Sequence, residues 1–208
     1  MSHEIASWLV EQGATTIVVA CNTASAASLG SLRKGSPEIH FVGMEPAVKP
    51  AAAASQTGII GVLATATTFQ SRLFESLVES HAADVEVVPR ACPQWVELVE
   101  GGHFDGPEVE SSVAAEITPL LDDGADVLVL GCTHFSLLLP IIEKLAGSGS
   151  TVIDPAGAVA TQAVRVASEP KGDGRLTLAA SGDRSDFAQL AVDIGIGEWS
   201  GVVLPFPG

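Results

Sequence analysis

Three short runs of apolar residues with no charged interruption constrain this chain most. They are Thr16-Ile17-Val18-Val19-Ala20, Ile59-Ile60-Gly61-Val62-Leu63 and Val127-Leu128-Val129-Leu130. A strand that is apolar throughout, rather than at alternate positions, has to be covered on both faces. Helices supply that cover, and Ala-rich amphipathic stretches over about 3–12, 23–33, 67–81, 108–122, 136–146, 156–168 and 184–194 lie between the runs. Weaker strands are expected at Ile39-His40-Phe41-Val42, Val85-Glu86-Val87-Val88, Thr151-Val152-Ile153, Leu176-Thr177-Leu178 and Val202-Val203-Leu204. Alternation of this kind predicts an α/β fold with mostly parallel sheets. Gly147-Ser148-Gly149-Ser150 reads as a turn rather than a tether between domains.

Two of the apolar runs end alike. Glu11-Gln12-Gly13-Ala14-Thr15-Thr16-Ile17-Val18-Val19-Ala20-Cys21-Asn22-Thr23 can be laid on Asp122-Asp123-Gly124-Ala125-Asp126-Val127-Leu128-Val129-Leu130-Gly131-Cys132-Thr133-His134 at a constant offset of 111, since 124 − 13 and 132 − 21 agree. Each copy reads as a helix end, a Gly-Ala turn, a buried strand, and a cysteine followed by polar residues. Ligands of open α/β sheets bind at the carboxyl ends of strands, where both cysteines sit. Asn22 and Thr23 suit the start of a helix, as Thr133 and His134 do. A helix N-terminus offers unpaired N–H groups and partial positive charge, which holds carboxylates and favours reactive thiols. A single cysteine ending a strand is ordinarily packing. Two matched ends shift the balance toward chemistry. Cys92, in Ala91-Cys92-Pro93, lacks that context and reads as structural.

Composition narrows the function classes. With 10 Lys and Arg against 25 Asp and Glu the formal net charge is −15, which repels phosphate backbones and argues against nucleic-acid binding. No apolar run reaches the length of a membrane span, and Met1-Ser2-His3-Glu4-Ile5 does not open a secretory signal. Three cysteines in 208 residues make no disulfide framework and imply reduced thiols in a cytoplasm. No Cys-x-x-Cys is present to support a thiol redox protein.

Val18-Val19-Ala20-Cys21-Asn22-Thr23-Ala24-Ser25-Ala26 and Leu130-Gly131-Cys132-Thr133-His134-Phe135 resemble the two signature motifs of glutamate racemases, within the aspartate/glutamate racemase superfamily. Gly61-Val62-Leu63-Ala64-Thr65-Ala66-Thr67-Thr68 and Ala91-Cys92-Pro93-Gln94-Trp95-Val96-Glu97-Leu98-Val99-Glu100-Gly101 resemble further segments of that family, in its order. Val42-Gly43-Met44-Glu45-Pro46-Ala47 and Val152-Ile153-Asp154-Pro155-Ala156 match more loosely. The resemblance implies racemisation of glutamate without metal, pyridoxal phosphate or any other cofactor, supplying D-glutamate for peptidoglycan. Inversion at one carbon needs a base on each face, which two thiols from two half-units provide. By resemblance Cys21 serves D-glutamate and Cys132 serves L-glutamate, with His134 and Glu100 as catalytic auxiliaries. Asn22, Thr23, Thr65, Thr68, Thr133 and His134 are then the substrate-binding set. His134 otherwise reads as a helix-start residue, Glu100 as a solvated carboxylate beside Glu97, and Thr65 and Thr68 as caps. Asp122 and Asp123 read as a solvated face.

The resemblance also implies an architecture of two pseudo-symmetric α/β domains, 1–44 plus 154–208 and 45–153, with the site in the cleft between them and a homodimeric assembly. Glutamate racemases open with a strand that ends in an Asp-Ser-Gly turn and carry a later Pro-Tyr-Gly segment. Neither occurs here, and the sequence has no Tyr. This is therefore expected to be an N-terminally truncated form of the enzyme, with a hydrophobic sheet edge left uncovered. The alternatives are an inactive amino-acid-binding or interaction protein that keeps the fold, and a racemase for aspartate or another small acid.

Overall fold

The computed structural model describes residues 1–167, 176–180, 184–196 and 204–205. In chain order its first elements are α1 (Ser2–Glu11), β1 (Thr16–Val19), α2 (Asn22–Gly35), β2 (His40–Gly43), α3 (Val48–Ala54), β3 (Ile59–Ala64), α4 (Ala66–Phe69) and α5 (Arg72–His81). They continue through β4 (Glu86–Ala91), α6 (Pro93–Glu100), α7 (Pro107–Asp122), β5 (Val127–Leu130), a 3-10 segment (Thr133–Leu138), α8 (Leu139–Ala146), β6 (Thr151–Ile153) and α9 (Ala156–Val166). One sheet pairs β1 with β2, and a second runs in the order β4-β3-β5-β6. Each pair in both sheets is parallel, so the α/β reading of the sequence holds.

The apolar runs are buried for the reason their composition suggests. Along β5, Leu128 and Leu130 pack with Trp95, Val113, Ile117 and Phe135 on one face of the sheet. Val127 and Val129 pack with Val48, Ile60, Val62 and Phe74 on the other. Successive side chains of a strand point to opposite faces, so a strand between two helical layers needs apolar residues at every position. In β3, Gly61 lets α7 approach: a β-carbon there would stand 2.8 Å from Leu120 and 2.9 Å from Leu128. A smaller core of Ala6, Ile17, Leu32, Ile39 and Phe41 holds α1 and α2 against β1 and β2.

The offset of 111 seen in the sequence is a structural repeat as well. Gly13 and Gly124 both adopt positive φ, at 92° and 94°, a region that favours glycine. Ala14 N–H donates to the Leu9 carbonyl as Ala125 N–H donates to that of Leu120. Gly13 pairs with Val10 as Gly124 pairs with Leu121. The correspondence reaches the next strand too, for β1 places Thr16 opposite His40 and β5 places Val127 opposite Thr151. Two helix–strand–helix–strand units therefore share one local construction, each ending its first strand at a cysteine.

Other parts differ from expectation. The helix expected over 67–81 is two helices, because the Ser71 side chain accepts from Phe74 N–H and caps a new start. The helix expected over 136–146 is split, since Pro140 cannot donate to an α-helical turn and clashes with the preceding one. A 3-10 segment begins at Thr133 and the α-helix follows at Leu139. Helices α3 and α6 were not expected. Leu176-Thr177-Leu178 is not a strand; pairing falls two residues later, at β7 (Ala179–Ala180). Of the strand expected at 202–204, residues 202 and 203 lie outside the described residues.

Ser168–Gly208 forms its own unit, in which β7 pairs in parallel with β8 (Leu204–Pro205) and α10 spans Arg184–Asp193. Within Met1–Ala167, the loop between α3 and β3 is tied to β5 by Asp126. Its carboxylate accepts from the Ser55 hydroxyl at 2.6 Å, Gln56 N–H at 2.6 Å, and Thr57 N–H and hydroxyl at 3.1 and 3.0 Å. Burial pushes this carboxyl up, but those hydrogen bonds outweigh it and hold it down at about 2. Among the described residues no helix is long and apolar enough to cross a membrane.

Candidate active site

Cys21 follows β1 and is the N-cap of α2, with φ −154° and ψ 124°; Cys132 follows β5 and is the N-cap of the 3-10 segment, with φ −145° and ψ 136°. The matching dihedrals carry the repeat through to the thiols. All three cysteines are free. Cys21 is exposed and Cys132 half-buried, whereas Cys92 sits in the core with its thiol donating to the Arg90 carbonyl at 3.5 Å. Burial pushes the Cys92 thiol far above the ordinary range, which suits a packing residue.

The two cysteine turns meet through the residues beside them. Asn22 is only 4% exposed, and its Nδ2 donates to the Gly131 carbonyl at 2.8 Å across 109 residues of chain. Asn22 follows Cys21 and Gly131 precedes Cys132, so each thiol lies one residue from this hydrogen bond. Gly131 is itself held: its N–H donates to the Leu63 carbonyl at 2.7 Å. A β-carbon there would come within 2.9 Å of the Ala64 β-carbon and 3.1 Å of the Leu63 oxygen. The sequence reading assigned Gly131 no role. The available signal was a glycine directly before the second cysteine, at a strand end where another backbone passes close.

Three of the hydroxyls singled out from the sequence form one cluster. Thr65 and Thr68 lie 3.0 Å apart, and Thr23 Oγ1 is 3.3 Å from Thr68 and 3.5 Å from Thr65. Thr23 opens α2 while Thr65 and Thr68 flank the start of α4, so the cluster links α2 to the end of β3 as Asn22 links it to the end of β5. Thr133 begins the 3-10 segment and is half-buried.

Beside Cys132 stands a relay of three side chains. Cys132 Sγ is 3.6 Å from His134 Nδ1, and His134 Nε2 is 2.5 Å from Glu100 Oε1. Glu100 is the last residue of α6, a helix pinned by Trp95, whose ring meets that of Phe135 edge-on at 4.9 Å. The sequence placed His134 and Glu100 in one site, and the fold brings them into contact across 34 residues. The hydrogen bond to Cys132 raises the His134 pKa, burial opposes it, and the Glu100 carboxylate raises it again, to about 9. At neutral pH the ring is then doubly protonated and donates from both nitrogens, to the sulfur and to the carboxylate. In the first repeat the equivalent of His134 is Thr23, so the two thiols have different neighbours.

This raised pKa makes a stability prediction. Because the folded state binds the His134 proton more tightly, its contribution is full below pH 6.5 and disappears as pH rises through about 9. Urea unfolding followed between those limits is expected to show a loss of stability that His134→Gln removes. An unchanged pH slope in that variant would count against the relay.

Among the described residues no group of three or more His, Cys, Asp and Glu could hold a metal ion. A cleft of about 740 Å³ lies elsewhere, lined by Leu29, Arg33, Met44, Asp154 and Gln162, and none of the site residues named from the sequence lines it.

Residues 2–163 match the family model described as Asp/Glu/Hydantoin racemase. Over 193 residues the chain is 44% identical to the glutamate racemase of Roseiflexus sp. (strain RS-1), covering 89% of this chain and 71% of that protein. It is 44% identical over 166 residues to the glutamate racemase of Pseudomonas aeruginosa (strain UCBPP-PA14), covering 80% of this chain and 63% of that one. The fold is similar to that of the Escherichia coli glutamate racemase solved in complex with L-glutamate and the activator UDP-MurNAc-ala. The TM-score is 0.86 at 26% identity, covering 100% of this chain and 80% of that one.

Proposed function

Since this chain belongs to the Asp/Glu/Hydantoin racemase family, we propose that it interconverts L- and D-glutamate by proton transfer between Cα and two thiols, Cys21 and Cys132. The observation that carries this reading is the pairing of two like cysteine turns, joined by the Asn22–Gly131 hydrogen bond. Free thiols held at the carboxyl ends of β1 and β5 suit a substrate carbon lying between them.

In this reading one sulfur, as thiolate, takes the Cα proton and the C–H electron pair passes into the carboxylate. The opposite sulfur, as thiol, gives its proton to the other face of Cα. The product is the mirror image, and the two sulfurs have exchanged protonation states, so each must trade a proton with water before the next turnover in the same direction. No cofactor is needed, because side chains make both transfers. Cys132 acts on L-glutamate and Cys21 on D-glutamate. His134 places a positive ring beside Cys132, and Glu100 fixes that ring, a carboxylate–imidazole pairing that orients and charges the working group. The first-turn N–H groups of α2 at Asn22 and Thr23 face a substrate carboxylate, with the Thr23, Thr65 and Thr68 hydroxyls and Thr133 as further donors.

The wider reading follows the family. The pseudo-symmetric halves are 1–44 plus 154–208 and 45–153, with the substrate in the cleft between them. The assembly is a homodimer, and its cytoplasmic product supplies D-glutamate to peptidoglycan synthesis. The test is incubation of the chain with L-glutamate in deuterium oxide, followed by chiral separation and mass analysis. D-glutamate carrying one deuteron at Cα is expected. A chain that binds glutamate yet neither inverts it nor exchanges its Cα proton would be an amino-acid-binding relative instead, and the proposal would fall.

A further inference from the structure

We infer that Asn22 is a positioning residue that sets the separation of the two thiols, acting as a strut from the Cys21 turn to the Cys132 turn. The inference rests on the two-thiol reading above and adds to it a residue that acts through the others. The path from Cys21 to Cys132 is short: one peptide unit, the Asn22 side chain, one hydrogen bond of 2.8 Å and one further peptide unit. Each end of the strut is fixed by its surroundings. Asn22 begins α2 with its side chain buried, and the Gly131 backbone is pressed against Ala64 and tied to the Leu63 carbonyl.

The chemistry of the amide supports a geometric role. Its Nδ2 is spent on a backbone carbonyl, while its Oδ1 is buried with no hydrogen-bond partner among the described residues. A buried acceptor left unpaired is unfavourable, and an apolar residue of similar size would avoid it. Of the two ends of the amide, the Nδ2 reach to Gly131 is the one the fold itself uses. Aspartate would set a carboxylate oxygen against the Gly131 carbonyl, acceptor against acceptor. Serine and alanine are too short to bridge the gap. The neighbouring Thr23 cluster, at 3.3 and 3.5 Å, ties α2 to the end of β3 rather than to the Cys132 turn, so loss of Asn22 leaves the turn that bears Cys21 free to shift against the one that bears Cys132.

The experiment reads thiol separation without relying on turnover. The native chain and its Asn22→Ala, Asn22→Ser and Asn22→Asp variants are treated with dibromobimane, a short bifunctional thiol reagent. Cys21–Cys132 bridged peptide is quantified by mass spectrometry, beside single-site alkylation of each thiol by iodoacetamide. In native protein the bridge is expected to form. In the variants it should form about fivefold more slowly, the population change that one ordinary hydrogen bond supports, with each single-site rate within about twofold of native. Where turnover is measured, kcat should fall, as expected when the reacting pair is misplaced, and a rise in KM beside it would report a separate contribution of Asn22 to substrate binding. Far-ultraviolet circular dichroism selects the folded variants, and Asn22→Ser is included as the mildest of them. Equal bridging rates in native and folded variants would overturn the strut and leave the two-thiol reading intact. Native protein that alkylates at both thiols yet never bridges would overturn both.

Discussion

Replacing Cys132 by serine is expected to lower the rate of glutamate racemisation by about 10²–10⁴-fold, and replacing Cys21 to do the same. A hydroxyl nearly matches a thiol in size but is a far poorer proton acceptor and donor near neutral pH. Cys21 is exposed and Cys132 half-buried, so neither change should cost much stability. Loss of turnover would therefore report chemistry rather than unfolding. The two effects should not multiply. If the sulfurs work as one unit, a chain lacking both loses little more than a chain lacking either, whereas independent contributions would add in free energy. Cys92→Ser is the contrast, since that thiol is buried in the core and donates to the Arg90 carbonyl, and turnover per folded molecule should persist. Chiral chromatography of D-glutamate formed from L-glutamate, and the reverse, measures all four proteins. Turnover that survives loss of either strand-end thiol, or a double variant showing the product of the single losses, would remove the thiol pair from the mechanism.

Much of the fold could be read from residues because the information was local. Apolar runs at Ile59–Leu63 and Val127–Leu130 had to be covered on both faces, and they form β3 and β5 at the centre of the four-stranded sheet. The repeated Gly-Ala turn fixed how both cysteines are delivered, and its glycines do take the same positive φ. What escaped was set by single side chains or by distant partners. Ser71 capping its own helix and Pro140 interrupting another are one-residue events inside amphipathic patterns that look continuous. Helix α3 is a short Ala-rich stretch whose apolar residues become informative only once β3 and β5 lie beneath it. The candidate site was legible in its residue types and not in its wiring. Nothing near Asn22 in the sequence points to Gly131, nor near Glu100 to His134, because those contacts depend on which strand ends the fold makes neighbours. Asn22 adds a contact that its residue type does not announce, since its buried side chain also donates to a backbone carbonyl 109 residues away.

Trp95→Ala should be among the most destabilising single substitutions, by about 3–5 kcal/mol, because it empties the largest fully buried side chain among the described residues. The indole packs among Val99, Val113, Ile117 and Leu128, meets Phe135 edge-on at 4.9 Å, and donates Nε1–H to the Ser112 carbonyl at 3.4 Å. Removing it forfeits apolar transfer, the aromatic contact and that hydrogen bond, and α6 is held by both α7 and the 3-10 segment, which keeps it from collapsing fully into the gap. The consequence reaches the candidate site through both partners of one pair. Trp95 shares α6 with Glu100, and Phe135 directly follows His134, so the indole clamps the helix bearing the carboxylate to the segment bearing the imidazole. Once the clamp is gone, the pKa of His134 should fall part of the way from about 9, since the Glu100 hydrogen bond depends on that registration while the larger contribution, from Cys132 two residues away, does not. Trp95→Phe, which keeps a ring against Phe135, should retain most of the stability and most of the shift. Urea unfolding and the pH titration of the His134 ring protons by NMR separate the outcomes: a stable alanine variant would show that the core closes over the space, and an unmoved titration would show that Glu100 and His134 hold each other without help from the layer beneath.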